Sequence, residues 1–455
     1  MTILYCARWV LPVSSAAVEG GAVAVRGAEI VGVGARSSLV ERFAGARVKD
    51  FGEAAIVPGL VNCHSHLELT AMRGFLEREE SDFFAWLRKL TFARNERMTL
   101  EDRYASAAWG AVEAARAGVT CVGDASDLAA PVMRALRAVG LRGVVYQEVF
   151  GPDPRTAREQ FEGLREKVSR ERAGETDAVS LGVSPHAPYS VSEPLLGLVT
   201  EFADAENFPL MMHAAESAAE ESFVRRGEGP FAEGLRARGI EWRATGLSPI
   251  KYLERCGVLR ARPLLAHCVR ADEEDVATLA ATGARVAHCP KSNAKFGHGR
   301  APLASLLRAG VVTGLGSDSV ASNNACDLLE ESRHAALASR AAGERFEGGR
   351  MLGADDALRA ATLGGAWALG MGGATGALEE GTRADLAVFS LEGAHQLPLY
   401  DPAAALVFSS SGRDALLTVV AGREVFSDGR VTTVDEDELR ARVRAIAGRL
   451  AEGAY

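Results

Sequence analysis

No two of the seven cysteines have the Cys-x-x-Cys spacing of a zinc or redox motif, and they lie scattered from Cys6 to Cys326. Cys-type zinc sites and a disulfide framework are therefore excluded, and reduced thiols in a cytoplasmic protein are expected. A basic face is missing too. The net charge of −9 is spread over short stretches of mixed sign, which argues against nucleic acid or an anionic membrane as the main partner and in favour of a small-molecule substrate. No apolar run is long enough to span a bilayer, and Met1 to Pro12 alternates like a strand without the basic start of a secretory signal. Gly32-Val-Gly34 lacks the third glycine of a dinucleotide fingerprint. His66-Leu-Glu68 imitates the His-x-Glu of cytidine deaminases, but the accompanying Pro-Cys-x-x-Cys is absent.

What is present is a β/α rhythm in 455 residues of 47% apolar content, enough for one large domain and a smaller one. Short Val/Ile/Leu-rich runs predict strands at Ala55–Val61, Val119–Gly123, Gly143–Val149, Val179–Val183, Pro209–Met212, Pro263–Ala266, Arg285–Ala287 and Val311–Leu315. Helical periods fall between them at 100–117, 129–139, 155–172, 193–206, 272–282 and 303–309. Gly118, Gly140, Gly283 and Gly310 serve as C-terminal stops. Eight such strands predict an α/β fold, a (β/α)8 TIM barrel over residues 56–375. Gly-punctuated strands in 1–55 and again in 376–432 predict a small discontinuous β domain built from both chain ends. Residues 433–455 should form a C-terminal helix.

A polar or ionisable residue follows nearly every apolar run: His64 and His66, Asp124, Glu148, His186, His213, His267, His288 and Asp318. In a barrel these positions share one face, where groups far apart in sequence converge. Glu148 and His288 have a plainer reading as groups that cap the barrel mouth. His64 and His66, two apart on a strand, point to the same side. With His213 and Asp318 they make three imidazoles and a carboxylate, a donor set for one divalent metal ion with a position left for water. Zinc is the default, and Fe2+ or Mn2+ suits the same ligands. The fourth strand ends in Val183-Ser-Pro-His186 without a lysine to bridge two ions, which favours a single metal. In His213-Ala-Ala-Glu216 the carboxylate can reach the water and the substrate from outside the ligand set, so Glu216 is the candidate general acid/base. His267 can orient the water, and Asp318 can both ligate and accept its proton.

These residues resemble the amidohydrolase superfamily, specifically its cytosine deaminase and chlorohydrolase branch and the methylthioadenosine/adenosylhomocysteine deaminases within it. The resemblance runs in order through Pro58-Gly-Leu-Val-Asn-Cys-His-Ser-His66, Arg73-Gly74, Trp86-Leu87, Ser184-Pro-His-Ala-Pro-Tyr-Ser190, His213-Ala-Ala-Glu216, Ala266-His-Cys268, His288-Cys-Pro-Lys-Ser-Asn293 and Gly316-Ser-Asp-Ser-Val-Ala-Ser-Asn-Asn324. It implies hydrolytic deamination of an adenine-type nucleoside with a modified 5′ position, a metal-activated hydroxide attacking the carbon that bears the amine. It also implies substrate contacts at His186, Trp86, Asn95, Glu148 and Ser319. Asn95 stands where the relatives carry an acidic residue for the ribose, and Gln147 where some carry an arginine for the homocysteine carboxylate. Gln147-Glu-Val-Phe150 is closer to relatives acting on aminodeoxyfutalosine. Relatives are often homo-oligomers. The alternatives are hydrolysis at another ring (guanine, a pterin or a triazine, with a halide as one leaving group) and a metal-free, non-catalytic barrel acting as an interaction protein.

Overall fold

The computed structural model describes residues 1–452; the last three positions of the expected 433–455 helix lie outside the described residues. The chain opens with β1 (Thr2–Val10), β2 (Val18–Arg26), β3 (Glu29–Ala35), β4 (Arg47–Asp50) and β5 (Ala54–Pro58). There follow β6 (Leu60–Ser65), β7 (Val119–Ser126), β8 (Arg142–Val149), β9 (Val179–Pro185), β10 (Met211–Ala214), β11 (Leu264–His267), β12 (Arg285–His288) and β13 (Thr313–Leu315). The chain returns to a second strand set with β14 (Leu386–Ser390), β15 (Ala415–Val420), β16 (Arg423–Ser427) and β17 (Arg430–Val431), and ends in the helix Glu436–Glu452.

Two parallel four-stranded sheets, β6-β7-β8-β9 and β10-β11-β12-β13, form the inner layer. Parallel bridges Val183↔Leu210 and Ser65↔Asp318 connect them at both edges. Helices cover these strands from outside, so strands such as β7 and β8 are buried along their whole length and are apolar-rich without a polar face. The remaining nine strands form one outer sheet that joins the two ends of the chain, with β5 between β1 and β14. A buried ion pair ties the layers together: Arg142 Nε, at the start of β8, donates to Asp385 Oδ2 at 3.0 Å.

The eight inner strands and the six expected helices fall close to where the periodicity puts them; further helices, Phe83–Arg97 and Pro249–Arg255 among them, were not expected, and one strand departs instructively. The run expected as a single strand, Ala55–Val61, is two strands cut at Gly59. Ala54–Pro58 pairs with β1 and β14 in the outer sheet, whereas Leu60–Ser65 pairs with β7. A Cβ at position 59 would collide with the Thr120 side chain, so only glycine lets the chain pass that closely from one layer to the other. Several inner strands also extend past their apolar runs, so that β10, β11 and β12 include His213, His267 and His288. Ladder pairing continues to the polar residue, which a hydropathy boundary leaves out. The four glycines expected to stop helices all adopt positive φ, from 72° at Gly283 to 88° at Gly140.

Candidate active site

The carboxyl ends of the inner strands bring together groups that are up to 254 residues apart in sequence, from His64 on β6 to Asp318 just after β13. The His64, His66, His213 and His267 rings crowd together, with the His64 ring 4.9, 4.8 and 5.5 Å from the other three. Asp318 Oδ1 lies 3.4 Å from His64 Nε2 and 3.6 Å from His66 Nε2. The other oxygen of Asp318 accepts hydrogen bonds from Ser292 Oγ at 2.5 Å and Ser322 Oγ at 3.1 Å. Those hydroxyls fix the carboxylate so that Oδ1 faces the imidazoles.

The donor set has no internal donor to satisfy it. His66 Nδ1 lies 2.7 Å from the Ala125 carbonyl and His213 Nδ1 lies 3.0 Å from that of His186. Carbonyl oxygens only accept, so both Nδ1 atoms carry the proton and both neutral rings present lone pairs at Nε2. Those two Nε2 atoms nevertheless face each other at 3.3 Å. His64 is fully buried and neither of its ring nitrogens has a hydrogen-bond partner. Converging lone pairs beside a carboxylate fit a cation. The 3.3 Å separation matches the ligand-to-ligand edge of a tetrahedral ion with bonds of about 2.0–2.1 Å. Burial also suits ligation: it pushes His66 down to about 3 and so keeps its ring neutral.

Around this centre lies a narrow inner pocket of about 60 Å³, lined by His66, His213, Glu216, His267 and Asp318. Trp86, Glu148, His186 and Ser319 line it as well. His64 is fully buried and does not line it. Glu216 Oε1 stands 3.7 Å from His267 Nε2, and burial pushes its carboxyl up to about 7. Burial by itself would lower His267, but the facing carboxylates of Glu216 and Asp318 raise it. His186 is held by Ser190 Oγ at 2.7 Å from its Nδ1. Asn95 is not in the inner pocket. It is exposed, accepts from Arg103 Nη2 at 3.2 Å, and lines an outer cavity of about 840 Å³ that shares Leu87, Leu90, Arg94, His186 and Tyr189 with the inner one.

The model of the amidohydrolase family matches residues 55–425. The chain belongs to that family. Similar proteins named 5-methylthioadenosine/S-adenosylhomocysteine deaminase come from Syntrophobacter fumaroxidans, 35% identical with 94% of this chain and 93% of that protein covered, and from Symbiobacterium thermophilum, 34% identical with 97% of each covered. A crystal structure described as an adenosine deaminase from Xanthomonas campestris with bound zinc superposes with a TM-score of 0.87 at 29% identity, over 99% of this chain and 98% of that one.

This amidohydrolase also uses groups that its motifs did not single out. Glu220 is wholly buried and its two carboxylate oxygens accept the backbone N–H groups of Ala215 and Glu216, each at 2.8 Å. It thereby holds Ala215 at a φ of 53° and aims the Glu216 side chain. The signal was present as Ser217-x-x-Glu220, the spacing of a helix capping box, with the carboxylate turned one and two residues further back than that motif requires. Glu68, set aside above, is buried against Arg94 and Arg103, 3.7 and 3.3 Å away. Those arginines also approach Asp127, and the network anchors the helix Phe83–Arg97, which supplies Trp86, Leu87 and Leu90 to the pocket. The periodicity did not reveal this helix, because it presents apolar side chains to the pocket as well as to the core. Gln147 is structural, receiving Ala129 N–H at 3.1 Å and donating to the Asp127 carbonyl at 2.6 Å.

Proposed function

We propose that this amidohydrolase is a metal-dependent hydrolytic deaminase of an adenine-type nucleoside. In this reading His64, His66, His213 and Asp318 hold one divalent cation, zinc by default, and Glu216 is the general acid and base. The observation that supports it most directly is the buried Glu216 carboxyl, pushed up by burial to about 7, at the edge of an apolar-walled pocket beside a cluster of unprotonated imidazole nitrogens. The cation, when bound, supplies Lewis-acid activation of the attacking water. The rest of the reaction falls to the chain.

Deamination forms a C–O bond at the ring carbon that bears the amine, breaks the C–N bond, and leaves a ring carbonyl and ammonia. Glu216 takes a proton from the incoming water and passes it to the adjacent ring nitrogen, a role worth roughly 10²–10⁴-fold in rate. Asp318 accepts the water's second proton and passes it to the amine, which leaves as ammonia, while His267 orients the water. Phe83, Trp86, Leu90 and Phe296 form the apolar wall against which a flat heterocycle packs. His186, Glu148 and Ser319 supply polar contacts at the pocket edge. The outer cavity, with Asn95 at its rim, takes the ribose and 5′ substituent; its size is typical of small-molecule sites.

In the same reading the inner strands close as one (β/α)8 barrel that begins at Leu60 rather than at residue 56 and runs to about 375, and segments 1–58 and 376–432 make the supporting β domain. Seven unpaired cysteines, six of them buried, suit a reducing cytoplasm. Among the described residues no helix is long and apolar enough to cross a membrane. The test is ammonia release with loss of adenine absorbance from metal-loaded protein given adenosine, methylthioadenosine, adenosylhomocysteine, aminodeoxyfutalosine or guanine. Turnover of one adenine nucleoside supports the reading and fixes the 5′ preference. Silence on all of them moves the reaction to another ring.

A further inference from the structure

His298 lies between the helices Pro290–Lys295 and Leu303–Arg308, outside every motif taken from the sequence. Its ring sits edge-on to Phe83 at 4.8 Å and stacks on Phe296 at 5.2 Å. Its backbone N–H donates to the Asn293 carbonyl at 3.0 Å, which fixes the turn that carries it. The side chain is 8% exposed, and Nε2 is buried without a hydrogen-bond partner. That nitrogen is 3.8 Å from Glu216 Oε1.

His267 approaches the same oxygen, but it cannot serve as its donor while neutral. Its Nδ1 faces Asn293 Oδ1 at 2.9 Å, an acceptor, so Nδ1 holds the proton and Nε2 is a lone pair. His298 has no such constraint. Burial, helped by the neighbouring His267 and opposed only by Asp318, pushes its ring down to about 4, which leaves it an uncharged donor near neutral pH.

We propose that His298 is a positioning residue for Glu216, donating Nε2–H to Oε1 and so turning the carboxyl toward the substrate's ring nitrogen. The inference rests on the assignment of Glu216 as acid and base. The present 3.8 Å separation exceeds the N–H···O range by about 0.6 Å, a gap to be closed when substrate fills the pocket. Phe83 and Phe296, which clamp the imidazole, also line that pocket, so ring binding presses on the clamp.

Two substitutions separate donation from packing. His298→Phe preserves the aromatic stack and removes the donor, whereas His298→Gln removes the ring and keeps an amide N–H at similar reach. In the metal-loaded enzyme His298→Phe should lower kcat about tenfold, the equivalent of about 1.4 kcal/mol, with KM within about twofold. His298→Gln should recover most of that loss. Wild-type kcat in His298→Phe, or equal losses in both variants with a raised KM, would overturn the proposal and mark His298 as a wall residue. A second measurement does not depend on turnover: 15N spectra of histidine-labelled protein should show His298 protonated at Nε2, with that signal shifted in Glu216→Ala. An Nδ1-protonated ring overturns the proposal even if the enzyme is active. If the wild type deaminates no adenine nucleoside, the functional reading fails while the tautomer still decides the fate of His298.

Discussion

Replacing Glu216 with Gln should make the metal-free protein more stable at pH 8 while it abolishes useful turnover. The carboxyl is 4% exposed, and burial moves it from its ordinary 4.5 to about 7. At about 1.4 kcal/mol per pKa unit, that displacement corresponds to roughly 3 kcal/mol. The sign follows from proton counting. Below pH 4.5 both folded and unfolded chains hold the proton, and the group has no effect on stability. Between 4.5 and about 7 the unfolded chain releases it and the folded chain keeps it, so stability falls as pH rises. Above about 7 both forms are ionised and the full penalty remains. Urea unfolding of wild type and Glu216→Gln, with metal removed by chelation, should therefore give curves that diverge across this window and run parallel above it. A constant offset from the amide's own burial shifts the variant's curve without changing its shape. A difference that is independent of pH, or a wild type that gains stability from pH 5 to 8 relative to the variant, would refute the argument. With metal restored, the variant should retain the ion and lose about 10²–10⁴-fold in kcat, because an amide cannot shuttle protons.

Chelation should abolish deamination, and one equivalent of zinc per chain should restore it; full activity in protein shown to be metal-free by elemental analysis would sink the cation reading. Ser292→Ala removes the 2.5 Å donor to Asp318 Oδ2 and should weaken metal binding by about 10–100-fold in chelator competition. Unchanged affinity would show that the hydroxyl does not hold the carboxylate. Gly316→Ala would bring a Cβ within 2.8 Å of His64 Cβ and 2.9 Å of its backbone nitrogen. The expected result is a loss of about 1–3 kcal/mol in stability together with reduced metal content. A variant with wild-type metal content and melting temperature would mean that β6 and the 316–318 turn are less closely packed than the structure has them.

Much of this architecture is legible in local pattern. Val/Ile/Leu runs at regular intervals give the inner strands because doubly buried parallel strands need apolar residues on both faces. His64-x-His66 announces a shared ligand face because strand side chains repeat every two residues. Glu216 is found because it follows His213 at short range. Such signals are encoded within a few residues, and no partner has to be known to interpret them.

Tertiary structure alone decided the rest. The cut at Gly59 is invisible in an apolar run, since only the approach of Thr120 from β7 demands a glycine there. His298 and Glu216 are 82 residues apart and meet because β10 and the loop after β12 open onto the same face. Glu68 looks like half of a zinc-deaminase motif until Arg94 and Arg103 claim its carboxylate. Periodicity records which side of an element is buried. Which buried side chains face one another depends on how the strands register around the inner layer, and that is fixed by long-range packing no local window contains.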